Sequence, residues 1–158
     1  MKKYFPNSCM ILAVLFALTA CEGNKEVDPR DAFIGAYTYN ATGSVDFNFG
    51  ITSYSIPLNE QGTFTISKSG DGDQVVIEGW NDPINATVSG NQLTLESNNY
   101  DTTYRGIARQ LSFSYGKATL VDDRLTWDTN VSGKAQYSGL SAIGEGVVSM
   151  VATKNVEK

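Results

Sequence analysis

The sequence predicts an all-β fold, a single antiparallel β-barrel of about 8–10 strands, with a β-sandwich as the alternative. Apolar residues recur with period two from Phe33 onward: Phe33, Gly35, Tyr37, Tyr39 and Ala41, then Val45, Phe47 and Phe49. Clusters of Gly, Asp, Asn and Ser punctuate these runs at hairpin spacing. Stretches with the 3.6-residue period of a helix are essentially absent.

Along the chain, a leader and a tether come first. Lys2 and Lys3 give a small positive start, and the apolar run 10–18 is too short to span a bilayer, which takes roughly 20 apolar residues. It reads as a targeting segment. Leu18-Thr19-Ala20-Cys21 directly after it resembles the lipobox of bacterial lipoproteins, an aliphatic residue and two small ones before a cysteine. The resemblance implies a signal peptide over 1–20, cleavage before Cys21, and lipid on the Cys21 thiol. Cys9 leaves with the signal, so no internal disulfide is available even in an oxidising compartment. The polar, mixed-charge stretch that follows, with Pro29 near its end, reads as a flexible tether over 21–30. Residues 31–158 form the barrel domain, a length suited to one domain.

Within that domain the alternation returns at Phe64 and Ile66, at Leu93 and Leu95, at Leu111, Phe113 and Tyr115, at Leu125 and Trp127, and at Gly146, Val148, Met150 and Ala152. Turns are expected at Ser69-Gly70-Asp71-Gly72-Asp73, Ser89-Gly90-Asn91, Val121-Asp122-Asp123-Arg124 and Ser132-Gly133-Lys134. Links of hairpin length suit an up-and-down barrel, and closure hides the strand edges of a small domain. The expected inward set is Tyr37, Phe47, Phe64, Ile66, Leu93, Leu95, Leu111, Phe113, Leu120, Leu125, Trp127 and Val148.

The run Asp28-Pro29-Arg30-Asp31-Ala32-Phe33-Ile34-Gly35-Ala36-Tyr37-Thr38, just after the lipobox cysteine, resembles the opening of small lipocalin-like lipoproteins of Bacteroides-type bacteria. The hairpin pattern over 88–95 is similar as well. Lipocalins carry Gly-x-Trp on the first strand, with a late basic residue packed over the Trp. Here the motif is Gly35-Ala36-Tyr37, and the nearest late basic residue is Lys154. The resemblance implies a lipid-anchored barrel at the cell envelope, on the outer membrane.

Composition narrows the chemistry. The chain has no histidine, which removes the commonest general base, the commonest metal ligand and the Ser-His-Asp arrangement together. Cleavage leaves no thiol in the fold for a nucleophile or a zinc site. Asp122 and Asp123 read as a hairpin turn, and Asp46, Glu78, Glu96 and Glu145 as solvated strand faces. A calcium loop beginning at Asp71 needs oxygen ligands where Val75 and Asp82 stand, and the latter is no bidentate Glu. No catalytic residue, metal or other cofactor is expected, and the chain is read as no enzyme. With 12 basic and 17 acidic residues the formal charge is −5, and loss of Lys2 and Lys3 takes it to −7. Nucleic acid is not an expected partner, since binding it takes clustered basic residues.

Aromatic side chains remain. Trp80 and Trp127, with Tyr100, Tyr104 and Arg105 from the polar stretch 97–105, are the candidate ligand-binding residues, since rings and a guanidinium together orient a flat molecule or sugar. The polar stretch is expected at the barrel mouth as a loop or strand edge. The expected partners are the membrane, through Cys21, and a small molecule or glycan. The competing expectation is a packed barrel whose outer surface docks an envelope protein; a void at the mouth separates the two.

Overall fold

The period-two pattern becomes strand almost throughout. The computed structural model describes residues 27–50, 52–70, 72–80, 82–104 and 107–155. Within them run β1 Gly35–Asn48, β2 Ser53–Pro57, β3 Glu60–Lys68, β4 Gln74–Glu78, β5 Ile84–Ser89, β6 Gln92–Leu95, β7 Asn98–Tyr104, β8 Ile107–Ser114, β9 Lys117–Val121, β10 Arg124–Tyr137 and β11 Leu140–Lys154. The leader, Cys21 and the first tether residues lie outside the described residues.

Antiparallel pairing closes β1, β3, β4, β5, β6, β9, β10 and β11, in that order, into an eight-stranded barrel, with β11 bonded to both β10 and β1. Only β2 and the β7–β8 hairpin depart from this up-and-down path. Closure, rather than a sandwich, leaves the ring strands without an edge.

Strands β1, β10 and β11 span 14, 14 and 15 residues and outrun the ring. Beyond it, β2 covers β1 from Ser44 to Asn48, β8 covers β10 from Asn130 to Gln136, and β7 lies outermost on β8. The line from β8 into β9 carries a bulge: residues 115–118 lie opposite 127–129, one more residue on the β8–β9 side. Gly116 supplies the positive φ of 64° there. A six-stranded sheet, β2-β1-β11-β10-β8-β7, therefore rises past one end of the barrel.

The inward set is buried, apart from two residues. Tyr37, Phe47, Phe64, Ile66, Leu93, Leu95, Leu111, Leu125, Trp127 and Val148 belong to the core, while Phe113 and Leu120 are half-buried. Phe113 stands above the ring, on the β8 extension, so the core does not cover it. Leu120 is the penultimate residue of the short β9, beside the Asp122-Asp123 turn.

The turn expected at Ser132-Gly133-Lys134 does not form. β10 runs through it, and the chain reverses instead at Ser138 and Gly139, both at positive φ. Packing requires Gly133 within the strand. A Cβ there would stand 2.7 Å from Leu111 Cδ2 and 3.1 Å from Phe47 Cζ, and one on its cross-strand partner Gly144 would stand 2.6 Å from Phe47 Cδ1. The Phe47 ring occupies the space that two paired glycines leave open.

The other barrel end is closed by the entering chain. Asp28 caps a 3₁₀ helix, Pro29–Ala32, its carboxylate accepting from Arg30 N, Nε and Nη2 at 3.0, 3.0 and 2.7 Å. The last residues of the segment read as tether thus belong to this cap. Lys68 joins Asp28 and Asp31 at 2.9 and 2.6 Å, and Arg30 donates to the Gly70 carbonyl in the β3–β4 turn. Phe33 is fully buried beneath this cap, and its carbonyl accepts from Tyr37 Oη at 2.9 Å. Lys154, the cross-strand partner of Tyr37, passes over Gly35 and donates to the Ala32 carbonyl at 3.1 Å.

Candidate functional site

The uncapped end of the ring opens into a cavity of about 520 Å³. Ring-strand ends supply Ala41, Ile84, Thr129, Val148 and Met150, and the β8 extension supplies Leu111 and Phe113. Apart from Ile84, which begins β5, these stand on strands of the rising sheet, so the cavity is the point where the barrel core stops and that sheet begins.

Trp80 reaches the cavity through a backbone bend. After β4 the chain passes Gly79 at φ 115°, where a Cβ would stand 2.8 Å from the Thr63 carbonyl oxygen. Glycine alone fits comfortably there. Trp80 then stacks on Tyr115 at 6.0 Å and 8°, meets Tyr39 edge-on at 5.9 Å, and tilts against Phe64 and Trp127. Tyr115 stacks in turn on Phe113 at 5.8 Å and 13°. Three near-parallel rings, Trp80, Tyr115 and Phe113, make one wall.

Polar groups share the lining with the apolar ones, among them Asn59 beside Glu60. Thr129 is only 1% exposed, and its Oγ1 has no hydrogen-bond partner. A hydroxyl buried and unmet costs about 1–3 kcal/mol, so it calls for an occupant or a reason. Glu60 lies on the rim, its Oε1 accepting from Tyr39 Oη at 2.8 Å. Burial first, and the Glu60 contact second, push the Tyr39 phenol up to about 12. Tyr115 is pushed up to about 12 as well, by burial and then by the negative charge of Glu60. Both phenols stay protonated at neutral pH. Asp82, Asn98 and Arg109 complete the rim; the Nε and Nη1 of Arg109 are buried, and its side chain is itself engaged.

The two candidate tryptophans sit at different depths. Trp80 lines the cavity. Trp127 does not; it is buried below, packed on Trp80 and Phe64, with its indole N–H unpartnered. Tyr100 and Tyr104 lie on β7, opposite Leu111 and Ile107 of β8, on the outermost strand of the rising sheet. Their side chains, and Arg105 altogether, lie outside the described residues. The acidic residues read as solvated, Asp46, Glu78, Glu96 and Glu145, are exposed. Among the described residues no three His, Cys, Asp or Glu side chains gather in a metal-holding group.

The residues that the sequence did not single out are Thr129, Glu60, Tyr115 and Arg109. Thr129 had a signal: it continues the inward series Leu125, Trp127, Thr129, Val131, a polar residue at an apolar position. Glu60 had none, because only the fold brings the start of β3 beside Tyr39 and Tyr115. A second concavity, of about 610 Å³, lies over β7, β8, β10 and β11, among Ser and Asn side chains with Glu145 and Val147. Its Ser112 hydroxyl is already spent on Asn99 at 2.7 Å, and none of the buried unpartnered side-chain atoms in the described residues borders it.

Fold and site together define an eight-stranded antiparallel barrel, capped at one end and hollow at the other. No protein-family model matches the chain, and no curated protein matches it.

Proposed function

We propose that the protein is a lipid-anchored binding module of the cell envelope, on the outer membrane, whose barrel mouth takes a small molecule or glycan. The observation that carries this reading is the cavity of about 520 Å³ at the uncapped end of the ring, whose lining includes Thr129, a residue with a buried, unpartnered hydroxyl. Ligand cavities of roughly 300–1,000 Å³ suit small molecules, and an unmet buried hydroxyl is satisfied when one binds. The same void favours this reading over a packed barrel that docks a protein. Lys154, laid across Gly35 beside Tyr37, supports the lipocalin-like reading of the closed end. No catalytic role is assigned, in keeping with a chain without histidine.

The lipobox at Cys21 supports the anchor. Asp28, seven residues later, already belongs to the cap, so the lipid enters at the closed end. The cavity then opens on the far side of the barrel, toward the aqueous space. Cys21→Ser should move the protein from the membrane pellet to the soluble fraction with its melting temperature unchanged; continued pelleting overturns the anchor. The soluble Cys21→Ser protein is then screened by thermal shift and calorimetry against glycans and metabolites. At least one compound should bind, and Thr129→Val should weaken it; silence across the panel overturns the binding reading.

A further inference from the structure

We propose that the cavity's occupant is an amphipathic organic ammonium ion, its charge held at the rim by Glu60 and Asp82 and its apolar body ending in a polar atom toward Thr129. This rests on the binding reading above and names its ligand class.

Charge comes first. Glu60, from the start of β3, and Asp82, from the β4–β5 connection, line the same cavity. The ion pairs among the described residues join Asp28, Asp31, Arg30 and Lys68 at the opposite end, so among these residues no salt bridge joins either rim carboxylate. Tyr39 fixes Glu60 through Oε1, leaving Oε2 for a second donor. Against these two negative charges the described lining residues hold one cation, Arg109, whose side chain is already engaged. The rim is net negative on a chain of net charge −5, a field that repels anions and gathers cations.

The walls refine the class. Ala41, Ile84, Leu111, Val148 and Met150 give a strongly hydrated cation nothing in return for its water. An apolar body matches these walls. Phe113, at the end of the ring stack, borders the cavity beside them and offers aromatic surface to the ligand. Trp80 is hemmed in by Tyr115, Tyr39, Phe64 and Trp127, which leaves little open ring face for a sugar to lie on. Thr129 Oγ1 asks for one further polar atom at the buried end of the ligand.

The test uses the processed Cys21→Ser protein and a series of hydroxyaryl-alkylamines of graded length. Each amine is paired with its uncharged N-acetyl derivative and with the carboxylate analogue. Calorimetry should show the amines binding about tenfold or more tightly than either counterpart, the size expected when a charged hydrogen bond is lost. Glu60→Gln keeps an acceptor for Tyr39, and Asp82→Asn changes an exposed side chain; together they should erase that preference without lowering the melting temperature. Thr129→Val should penalise hydroxylated amines relative to their deoxy forms. Equal or tighter binding of the neutral or anionic analogues, or an amine preference that survives in the double variant, overturns the ammonium assignment while the binding reading stands. If nothing in this series or the wider panel binds, both fall.

Discussion

Thr129 occupies an inward position on β10 between buried Trp127 and Val131, and its unmet hydroxyl weakens the empty protein. Replacing it with valine removes the polar atom and keeps the shape. Thr129→Val should therefore raise stability by about 1 kcal/mol in the empty protein, read as a higher denaturant midpoint, while ligand affinity falls. A site kept at the expense of stability behaves in this way; a lowered midpoint would mean that the hydroxyl is satisfied after all. Gly144 shows the opposite constraint. Its Cβ would press on Phe47, so Gly144→Ala should cost about 1–3 kcal/mol, the usual range for overpacking. Three buried phenols add a pH dependence. Tyr37, Tyr39 and Tyr115 are each raised from 10.0 to about 12, chiefly by burial. A raised folded pKa contributes stability that is intact below pH 10 and lost as pH climbs through 12. Denaturant midpoints should hold steady up to about pH 10 and fall above it, in step with phenolate absorbance.

Among the elements, the Pro29–Ala32 helix is the most self-contained. Arg30, by hydrogen bonding, and then Lys68 hold the Asp28 carboxyl well below the usual carboxylate range, and Asp31, then Asp28, in turn raise Lys68. A depressed carboxylate stabilises at pH above its unfolded value of about 4 and loses that contribution only as pH falls through the lower folded value. The cap should stay closed at mildly acidic pH and loosen only in strong acid. Asp28→Asn should abolish this acid dependence, followed by amide exchange over residues 29–34. Surface pairs of this kind are individually weak, so the cap's main hold is Phe33, fully buried. Phe33→Ala should cost about 3–5 kcal/mol, against a domain stability of roughly 5–15 kcal/mol. At the other end, the bulge at Tyr115 and Gly116 turns the β8–β9 line so that Tyr115 can meet Trp80; element geometry there sets the cavity wall.

For the whole molecule, closure divides stability unequally. Each ring strand is bonded on both sides, whereas β7 pairs with β8 alone and β2 with β1 alone. Opening a ring strand breaks two ladders, but β7 can detach at the cost of one. Hydrogen exchange read by mass spectrometry should show protection highest in β1, β10 and β11, and lowest in β7, with β7 exchanging well before global unfolding. Equal protection across both groups would show that the rising sheet and the barrel unfold as one unit. The cavity sits at the seam between them, so a ligand bridging Met150 and Thr129 of the ring with Phe113 of the extension should slow exchange in β8.

By itself the sequence determined the fold class, most turns and most of the core. Period two places alternate side chains on one face wherever a strand forms, so Tyr37, Phe64, Ile66, Leu93, Leu125 and Trp127 were legible as inward residues, and Asp122 as a turn. Its misreadings arose where a residue's meaning depends on a distant neighbour. Gly133 looked like a turn because glycine commonly makes one, yet here it yields space to Phe47, 86 positions away in the chain. Phe113 alternated like a core residue, but its register lay past the end of the ring. Of the two candidate tryptophans, Trp80 lines the cavity and Trp127 lies below it; Thr129 was marked faintly by its inward position, and Glu60 by nothing local. Tertiary structure alone decided these, because a cavity is a relation among strand ends that are far apart in sequence. How long each strand runs past its neighbours, and which side chains meet there, is set by closure of the ring rather than by local alternation.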